Sequence, residues 1–96
     1  MAVYVVLANF TDQGIRAVKD TAKRAQAFRE TARKFNVSVN NIYWTLGRYD
    51  VVLTIEAPND ETVASLMMKI GSLGNLKSET LRAFGESELS SILSRL

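Results

Sequence analysis

The fold of this chain is decided by the stretch Ile42-Tyr-Trp-Thr-Leu-Gly-Arg-Tyr-Asp-Val-Val-Leu-Thr-Ile55. Two runs rich in β-branched, aromatic and leucine residues flank a short Gly-Arg-Tyr-Asp break at residues 47–50. Side chains of these types favour strands, and glycine and aspartate between two such runs favour a turn. The stretch therefore predicts a β-hairpin with strands over about residues 39–46 and 51–57.

The segment before the hairpin predicts a strand and a helix. Residues 2–10 are apolar at nearly every position through Ala8, so both faces of this strand are expected to be buried. Asp20 is expected to cap the main first helix, and Asn36 to end it in the left-handed conformation. The apolar stripe of this helix is predicted to consist of Val18, Ala22, Ala25, Phe28, Ala32 and Phe35.

The segment after the hairpin predicts a second helix, a fourth strand and a short third helix. Asn59 or Asp60 caps the second helix, and Gly71 or Gly74 ends it. The fourth strand, over residues 76–84, alternates less cleanly, as an edge strand does. Residues 86–96 then place four apolar side chains on one side of a helix, namely Leu89, Ile92, Leu93 and Leu96.

The predicted order is strand, helix, strand, strand, helix, strand, which is the α+β, ferredoxin-like βαββαβ arrangement with an antiparallel sheet. Right-handed crossovers place the first and third strands in the middle of the sheet. These are the two strands whose residues are apolar on most of both faces, so two independent signals agree. We expect one domain over residues 1–96, with a core over 1–85 and a C-terminal helix over 86–96.

Both helices of such a fold lie on one face of the sheet, which leaves the other face uncovered. Because the two central strands are apolar there as well, the exposed patch would exceed the ~300–600 Å² that monomers usually tolerate. We therefore expect a homodimer, or a multiple of dimers, in which two sheets pack face to face around a small cavity. The alternative is that the C-terminal helix covers the patch within one chain.

The composition limits the chemistry of the chain. Its 96 residues are 47% hydrophobic and 23% charged, and they include neither cysteine nor histidine. Thiolate chemistry and the usual zinc and haem ligands are therefore absent, and we expect no cofactor and no metal. A net charge of +2 is too small to indicate a nucleic-acid partner. No window approaches the ~18 apolar residues of a membrane span, and the start reads as a strand, which favours a cytoplasmic protein without a membrane partner.

The chain resembles the GYD-domain family, small bacterial and archaeal proteins of dimeric α/β-barrel fold without an established function. The resemblance rests on residues 4–7, 9–16, 43–52, 71–75 and 79–84, and its namesake motif appears as Gly47, Tyr49 and Asp50. It covers about residues 1–85 and leaves the tail outside. The resemblance implies a dimeric barrel and assigns no activity.

Several polar and aromatic residues near the predicted hairpin and strand ends are candidates for ligand binding. At the break, Asp50 and Tyr49 have a structural interpretation as turn residues, and a functional one in which Arg48 and Tyr49 line a cavity mouth. Tyr43 and Trp44 point to opposite faces, so at most one faces a cavity. Arg82 shares a strand face with Thr80 and enters the cavity if that face is the open one. The full set of candidates is Asn9, Tyr43, Trp44, Arg48, Tyr49, Asp50 and Arg82.

Three functions are compatible with these features. The leading hypothesis is a non-enzymatic homo-oligomeric module that binds or senses a small molecule in a cavity between the two sheets. The second is a cofactor-independent monooxygenase or isomerase of the dimeric-barrel kind, which would use Tyr, Asn, Arg or Asp in place of histidine and would be tested at Asn9 and Arg82. The third is a purely structural assembly protein.

Overall fold

The computed structural model describes residues 1–96, and its main elements follow the predicted order, with an additional short helix and a 3₁₀ turn after the first strand. The strands are β1 Ala2–Phe10, β2 Ser38–Trp44, β3 Val51–Ala57 and β4 Leu76–Ala83. The helices are α1 Asp12–Arg16, α2 Thr21–Lys34, α3 Asp60–Ser72 and α4 Glu86–Leu93, with a 3₁₀ turn at Val18–Asp20. The four strands form one antiparallel sheet in the order β2-β3-β1-β4. The ferredoxin-like α+β fold and the central position of β1 and β3 are thus confirmed.

One face of the sheet, the helix-covered face, carries the hydrophobic core. Every second residue of β3, from Val51 to Ala57, is buried, and those between them are only partly so. Ala32 of α2 and Leu66 of α3 belong to the same buried cluster, so both helices pack on this face. The cluster consists of Tyr4, Val6, Ala8, Ala32, Val37, Val51, Leu53, Ile55, Ala57, Val63 and Leu66.

The opposite face, the open face, has no helix over it. The strand register places Val5 between Thr54 of β3 and Leu81 of β4 on this face, with Val3 and Leu7 on the same side of β1. A folded monomer of 10.7 kDa exposes about 5,500 Å² of surface by the usual scaling with mass. This chain exposes 6541 Å². The excess of about 1,000 Å² is large for so small a domain.

The start of α2 differs from the prediction. The Asp20 side chain makes no capping hydrogen bond, because the Val18–Asp20 turn runs directly into the helix with Asp20 at φ −92° and ψ 4°. Val18 and Ala22 are exposed, so the stripe that packs on the sheet begins only at the partly buried Ala25. The end of the helix is as predicted, since Asn36 has a φ of 62°.

A tight junction joins the start of α1 to the loop before β4. The Thr11 hydroxyl donates to the Gly74 carbonyl at 2.5 Å and accepts from the Gly14 N–H at 3.1 Å. The Thr11 N–H donates to the Asn75 carbonyl at 3.1 Å. Gly14 is buried here, and a Cβ atom at this position would lie 2.1 Å from the Asn75 oxygen. Only glycine therefore fits this approach of two backbones.

The C-terminal helix α4 ends at Leu93, three residues before the predicted boundary, and has no buried residue. Its apolar stripe remains exposed, with Leu89 48% and Leu93 53% accessible. The Arg82 guanidinium pairs with the Glu88 carboxylate at 3.1 Å, and the Gly85 N–H donates to Glu88 at 3.2 Å. These polar contacts hold the start of α4, and its apolar side is left without a partner in the monomer.

Acidification is expected to loosen α4. The Gly85 N–H and then the Arg82 guanidinium hold the pKa of Glu88 below its ordinary value of 4.5. Because the folded-state pKa is the lower one, this contribution is present above pH 4.5 and is lost as the pH falls through the lowered pKa. Carbon chemical shifts of residues 86–93 measured along an acid titration should therefore move toward random-coil values in that range. Glu88→Gln is the control, since it should lack this transition, and helical shifts that persist in the wild type would contradict the expectation.

Candidate functional site

The loop between β2 and β3, residues 45–50, folds back onto the end of β1. Strand β2 ends at Trp44, two residues before the predicted boundary, and the Asp50 N–H of the loop donates to the Ala8 carbonyl at 2.9 Å. The Asp50 carboxylate also accepts from the Phe10 N–H at 3.0 Å. Gly47 has a φ of 118°, a backbone conformation that residues with a side chain rarely adopt. Asp50 is therefore engaged in fastening the loop to β1.

The loop also supplies polar groups to one end of the open face. The Tyr49 hydroxyl donates to the Glu79 carboxylate at 3.3 Å. Since β1 lies between β3 and β4, the Tyr49 side chain crosses β1, and Asn9 lies on the same face near this crossing. The Arg48 guanidinium lies 5.9 Å from the centre of the Tyr49 ring. Three candidate residues, Asn9, Arg48 and Tyr49, are thus brought to one end of the sheet.

Strand alternation separates the two neighbouring aromatic residues of β2, as predicted. Tyr43 lies opposite Val52 on the open face and is 57% exposed, with its hydroxyl 3.3 Å from the Asn41 side-chain oxygen. Trp44 lies opposite Val51 on the helix-covered face, and its Nε1 donates to the Thr21 hydroxyl at 3.0 Å. Tyr43 therefore belongs to the open face, and Trp44 to the space beneath α2.

Arg82 does not lie on the open face. Its register partner on β1 is Tyr4, so Arg82 and Thr80 share the helix-covered side of β4. The guanidinium lies 4.4 Å from the centre of the Phe84 ring and 5.6 Å from that of Tyr4. Its ionic partner is Glu88 of α4. Alternation correctly pairs Arg82 with Thr80, but this pair does not enter a cavity on the open face.

The Tyr4 hydroxyl is held by a carboxylate. It donates to Asp60 at the start of α3, and the Tyr4 residue is buried. This hydrogen bond, together with burial, raises the pKa of Tyr4 above its ordinary value of 10.0. Near neutral pH the hydroxyl therefore keeps its proton and tethers β1 to α3.

The helix-covered face carries a cavity, partly open to solvent, that the sequence analysis did not predict. Its volume is about 150 Å³, and 14 of its 18 lining residues are hydrophobic. It lies between α2, α3 and the sheet. The cavity expected from the sequence would instead lie on the open face, between the sheets of two chains. Its aromatic wall consists of Phe10, Phe28 and Trp44. Small side chains on the inner side of α2, such as Ala25 and Thr31, leave this space open, and they were the available sequence signal.

One arginine lies at the edge of this cavity. Arg24 is partly buried, and its guanidinium donates to the Ala17 carbonyl at 2.8 Å and to the Gly14 carbonyl at 3.1 Å. The same group lies 6.0 Å from the centre of the Phe10 ring. No carboxylate pairs with it, since the chain's one ion pair joins Arg82 and Glu88. Arg24 thus places a positive charge without a carboxylate partner beside an apolar cavity.

The fold and these surfaces define a small ferredoxin-like α+β protein with an open sheet face and an apolar cavity beneath its helices. The chain belongs to the GYD domain family, whose model matches residues 4–93. This match includes α4, so the expectation that the family resemblance ends near residue 85 was wrong. No group of three or more acidic side chains lies close enough together to hold a metal ion. None of the helices has the length and apolar character needed to cross a membrane.

Two similar proteins come from the bacterium Thermus thermophilus. One, 36% identical over 90 residues, is named glutamine synthetase and cystathionine beta-lyase binding protein; the similarity covers 93% of this chain and 95% of that protein. The crystal structure of TTHA0845 is 25% identical with a TM-score of 0.58, and the similarity covers 88% of this chain and 95% of that one. Both relatives are therefore of nearly the same length as this chain.

Proposed function

We propose that this protein is a non-catalytic protein-binding module that acts as a homodimer. The observation that carries the proposal is the apolar surface left without cover, on the open face and along α4. Contiguous exposed apolar patches are typical of interaction surfaces. The name of the relative from Thermus thermophilus describes a protein that binds two enzymes, which supports a protein-binding role for this chain.

The open face is proposed to be the dimer interface. The whole chain exposes about 1,000 Å² more surface than a typical monomer of its mass, and each partner buries ~800 Å² in a standard interface. Val3, Val5, Leu7 and Leu81 supply its apolar centre, while Asn9 and Glu79 lie toward one edge. An apolar centre with a polar rim is the usual composition of such interfaces. A second copy of the chain presents the same surface. Two open faces related by a two-fold axis would therefore cover each other.

The enzyme-binding surface is proposed to be α4 together with Phe84. Phe84 is 55% exposed, and the stripe formed by Leu89, Ile92 and Leu93 continues it along the chain. The family model extends through residue 93, so α4 is part of the unit that relatives share. An amphipathic helix of this kind binds by placing its apolar side in a groove of the partner.

The test uses purified glutamine synthetase and cystathionine β-lyase from the organism that encodes this chain. Biolayer interferometry should detect binding of the wild type to at least one of the two enzymes. Leu89→Ser with Leu93→Ser removes two apolar contacts and should weaken binding roughly 30-fold or more, since burial of one leucine side chain contributes about 1.5–3 kcal/mol. Ser91→Gln, on the other side of α4, is the matched control and should bind as the wild type does.

Two outcomes would contradict the proposal. Failure of the wild type to bind either enzyme would overturn the enzyme-binding role. Unchanged binding of the double variant would remove α4 from the interface. Circular dichroism of each variant establishes that the domain is folded before its binding is interpreted.

A small molecule held between the two sheets is the second candidate. It is favoured by the polar groups at one end of the open face, where Asn9, Tyr49 and Glu79 adjoin the apolar residues of β1. Tyr43, also on the open face, offers a further hydroxyl. A cleft with an apolar lining and a few polar groups is the common form of a ligand site. Such a ligand would require both sheets and therefore depends on dimer formation.

A further inference from the structure

We propose that the cavity between α2, α3 and the helix-covered face binds a small apolar molecule carrying one carboxylate, such as an arylacetate or a short-chain fatty acid. The site is separate from the proposed dimer interface and from α4. It lies on the other side of the sheet from the open face, and none of its lining residues belongs to α4. Binding there is therefore independent of the proposed protein-binding function.

The cavity has the size of one aromatic ring or a short alkyl chain. An apolar cavity of about 150 Å³ in another protein stays dry when empty and takes up benzene. The volume here is likewise about 150 Å³. Because most of the lining is apolar, the transfer of an apolar guest from solvent into this space is favourable.

The lining selects for an apolar body. Phe10, Phe28 and Trp44 contribute rings, and α3 adds Met67 and Ile70. Aromatic rings and a thioether pack favourably against a planar guest. The polar lining side chains are Thr21, Arg24, Thr31 and Asn75.

Arg24 supplies the recognition of the carboxylate. A guanidinium has five N–H donors, and two of its nitrogens here each donate to one backbone carbonyl. Donors therefore remain available, and the positive charge has no acidic partner within the chain. Charge-assisted hydrogen bonds from arginine to a carboxylate are stronger than neutral ones. The carbonyl contacts also hold the guanidinium in place, which limits the ordering cost of binding.

Trp44 gives the site a built-in reporter. It is the single tryptophan of the chain, and it lines the cavity while remaining 48% exposed. Its indole N–H is tied to the Thr21 hydroxyl at 3.0 Å, so the ring is positioned beside the cavity. A ligand that enters must change the surroundings of this one indole.

The experiment titrates phenylacetate into the full-length protein and follows Trp44 fluorescence, with isothermal calorimetry as a second readout. Hexanoate is the aliphatic probe, and 2-phenylethanol is the neutral counterpart of phenylacetate. We expect saturable binding of both carboxylates, and roughly tenfold weaker binding of the alcohol because it lacks the charge that Arg24 recognises. If neither phenylacetate nor hexanoate shows saturable binding, the proposal is overturned.

Two variants separate this site from non-specific association. Ala25→Leu places a larger side chain into the cavity and should weaken phenylacetate binding at least roughly tenfold, whereas Ala22→Leu, on the exposed side of the same helix, should not. Arg24→Gln should remove the preference for phenylacetate over the alcohol while the alcohol still binds. Equal affinities in Ala25→Leu and the wild type, or a preference that survives Arg24→Gln, would contradict the proposal. The Arg24 variant keeps the test decisive if Ala25→Leu does not fold.

Discussion

Val5→Glu is expected to convert the proposed dimer into a monomer that keeps its fold. Val5 lies at the middle of the open face, between Thr54 and Leu81 on the neighbouring strands. In a monomer the glutamate reaches solvent, because no helix covers this face. In a dimer the two-fold axis buries two such carboxylates without partners, and an uncompensated buried charge costs about 2–5 kcal/mol at an interface. The dissociation constant should rise by roughly 30-fold or more.

Native mass spectrometry over a range of protein concentrations measures this effect. The wild type should appear at twice the chain mass, and any small molecule held between the sheets should appear as added mass that is lost with the dimer. Ala22→Glu, an exposed position on α2, is the control and should leave the mass unchanged. A wild type that is monomeric at every concentration would contradict the dimer proposal.

Gly14→Ala is expected to produce the largest loss of stability among Gly→Ala substitutions in this chain. The new Cβ would lie 2.1 Å from the Asn75 carbonyl oxygen, which is backbone and has no rotamer to adopt. The α1 segment must then move away from the loop before β4, and the hydrogen bonds of Thr11 to this loop are strained or lost. Overpacking of this kind costs about 1–3 kcal/mol and more when the obstacle is main chain. We expect a drop of about 10 °C or more in the melting temperature, from the scaling for domains of this size.

The matched control is Gly71→Ala in α3. A Cβ there meets nothing within 4 Å. Alanine is favoured over glycine within a helix by about 1 kcal/mol, so this variant should melt at a slightly higher temperature than the wild type. Calorimetry should therefore show a lower melting temperature for Gly14→Ala and a slightly higher one for Gly71→Ala, although both variants add the same methyl group. Equal melting temperatures in the two would show that the close approach at Gly14 does not limit stability.

The strand pattern of the sequence was sufficient for the architecture of the sheet. β1 and β3 lack a consistently polar face, and a strand with two apolar faces belongs in the middle of a sheet. The alternation rule also separated Tyr43 from Trp44 correctly. These inferences succeed because side-chain direction along a strand is a local property with a period of two.

Alternation alone does not say which face of the sheet a helix will cover. Arg82 and Thr80 share a face, but the choice of face depends on the register between β4 and β1, which pairs Arg82 with Tyr4. The cavity beneath the helices was missed for a related reason. Its width depends on how far apart α2 and α3 lie above the sheet, and the apolar spacing within each helix does not report that distance.

The exposed α4 has a consequence for the strength of the proposed binding of a partner to the proposed dimer. A two-fold symmetric dimer carries two copies of this helix, held to their domains at Glu88 and Gly85. A partner built from repeated subunits can engage both helices at once, and the second contact then forms at an effective concentration in the millimolar range. Two weak contacts made together would thereby give a stable complex with an oligomeric enzyme. A single enzyme subunit, held by one weak contact, would dissociate readily. The dimer would then distinguish assembled enzyme from its unassembled chains.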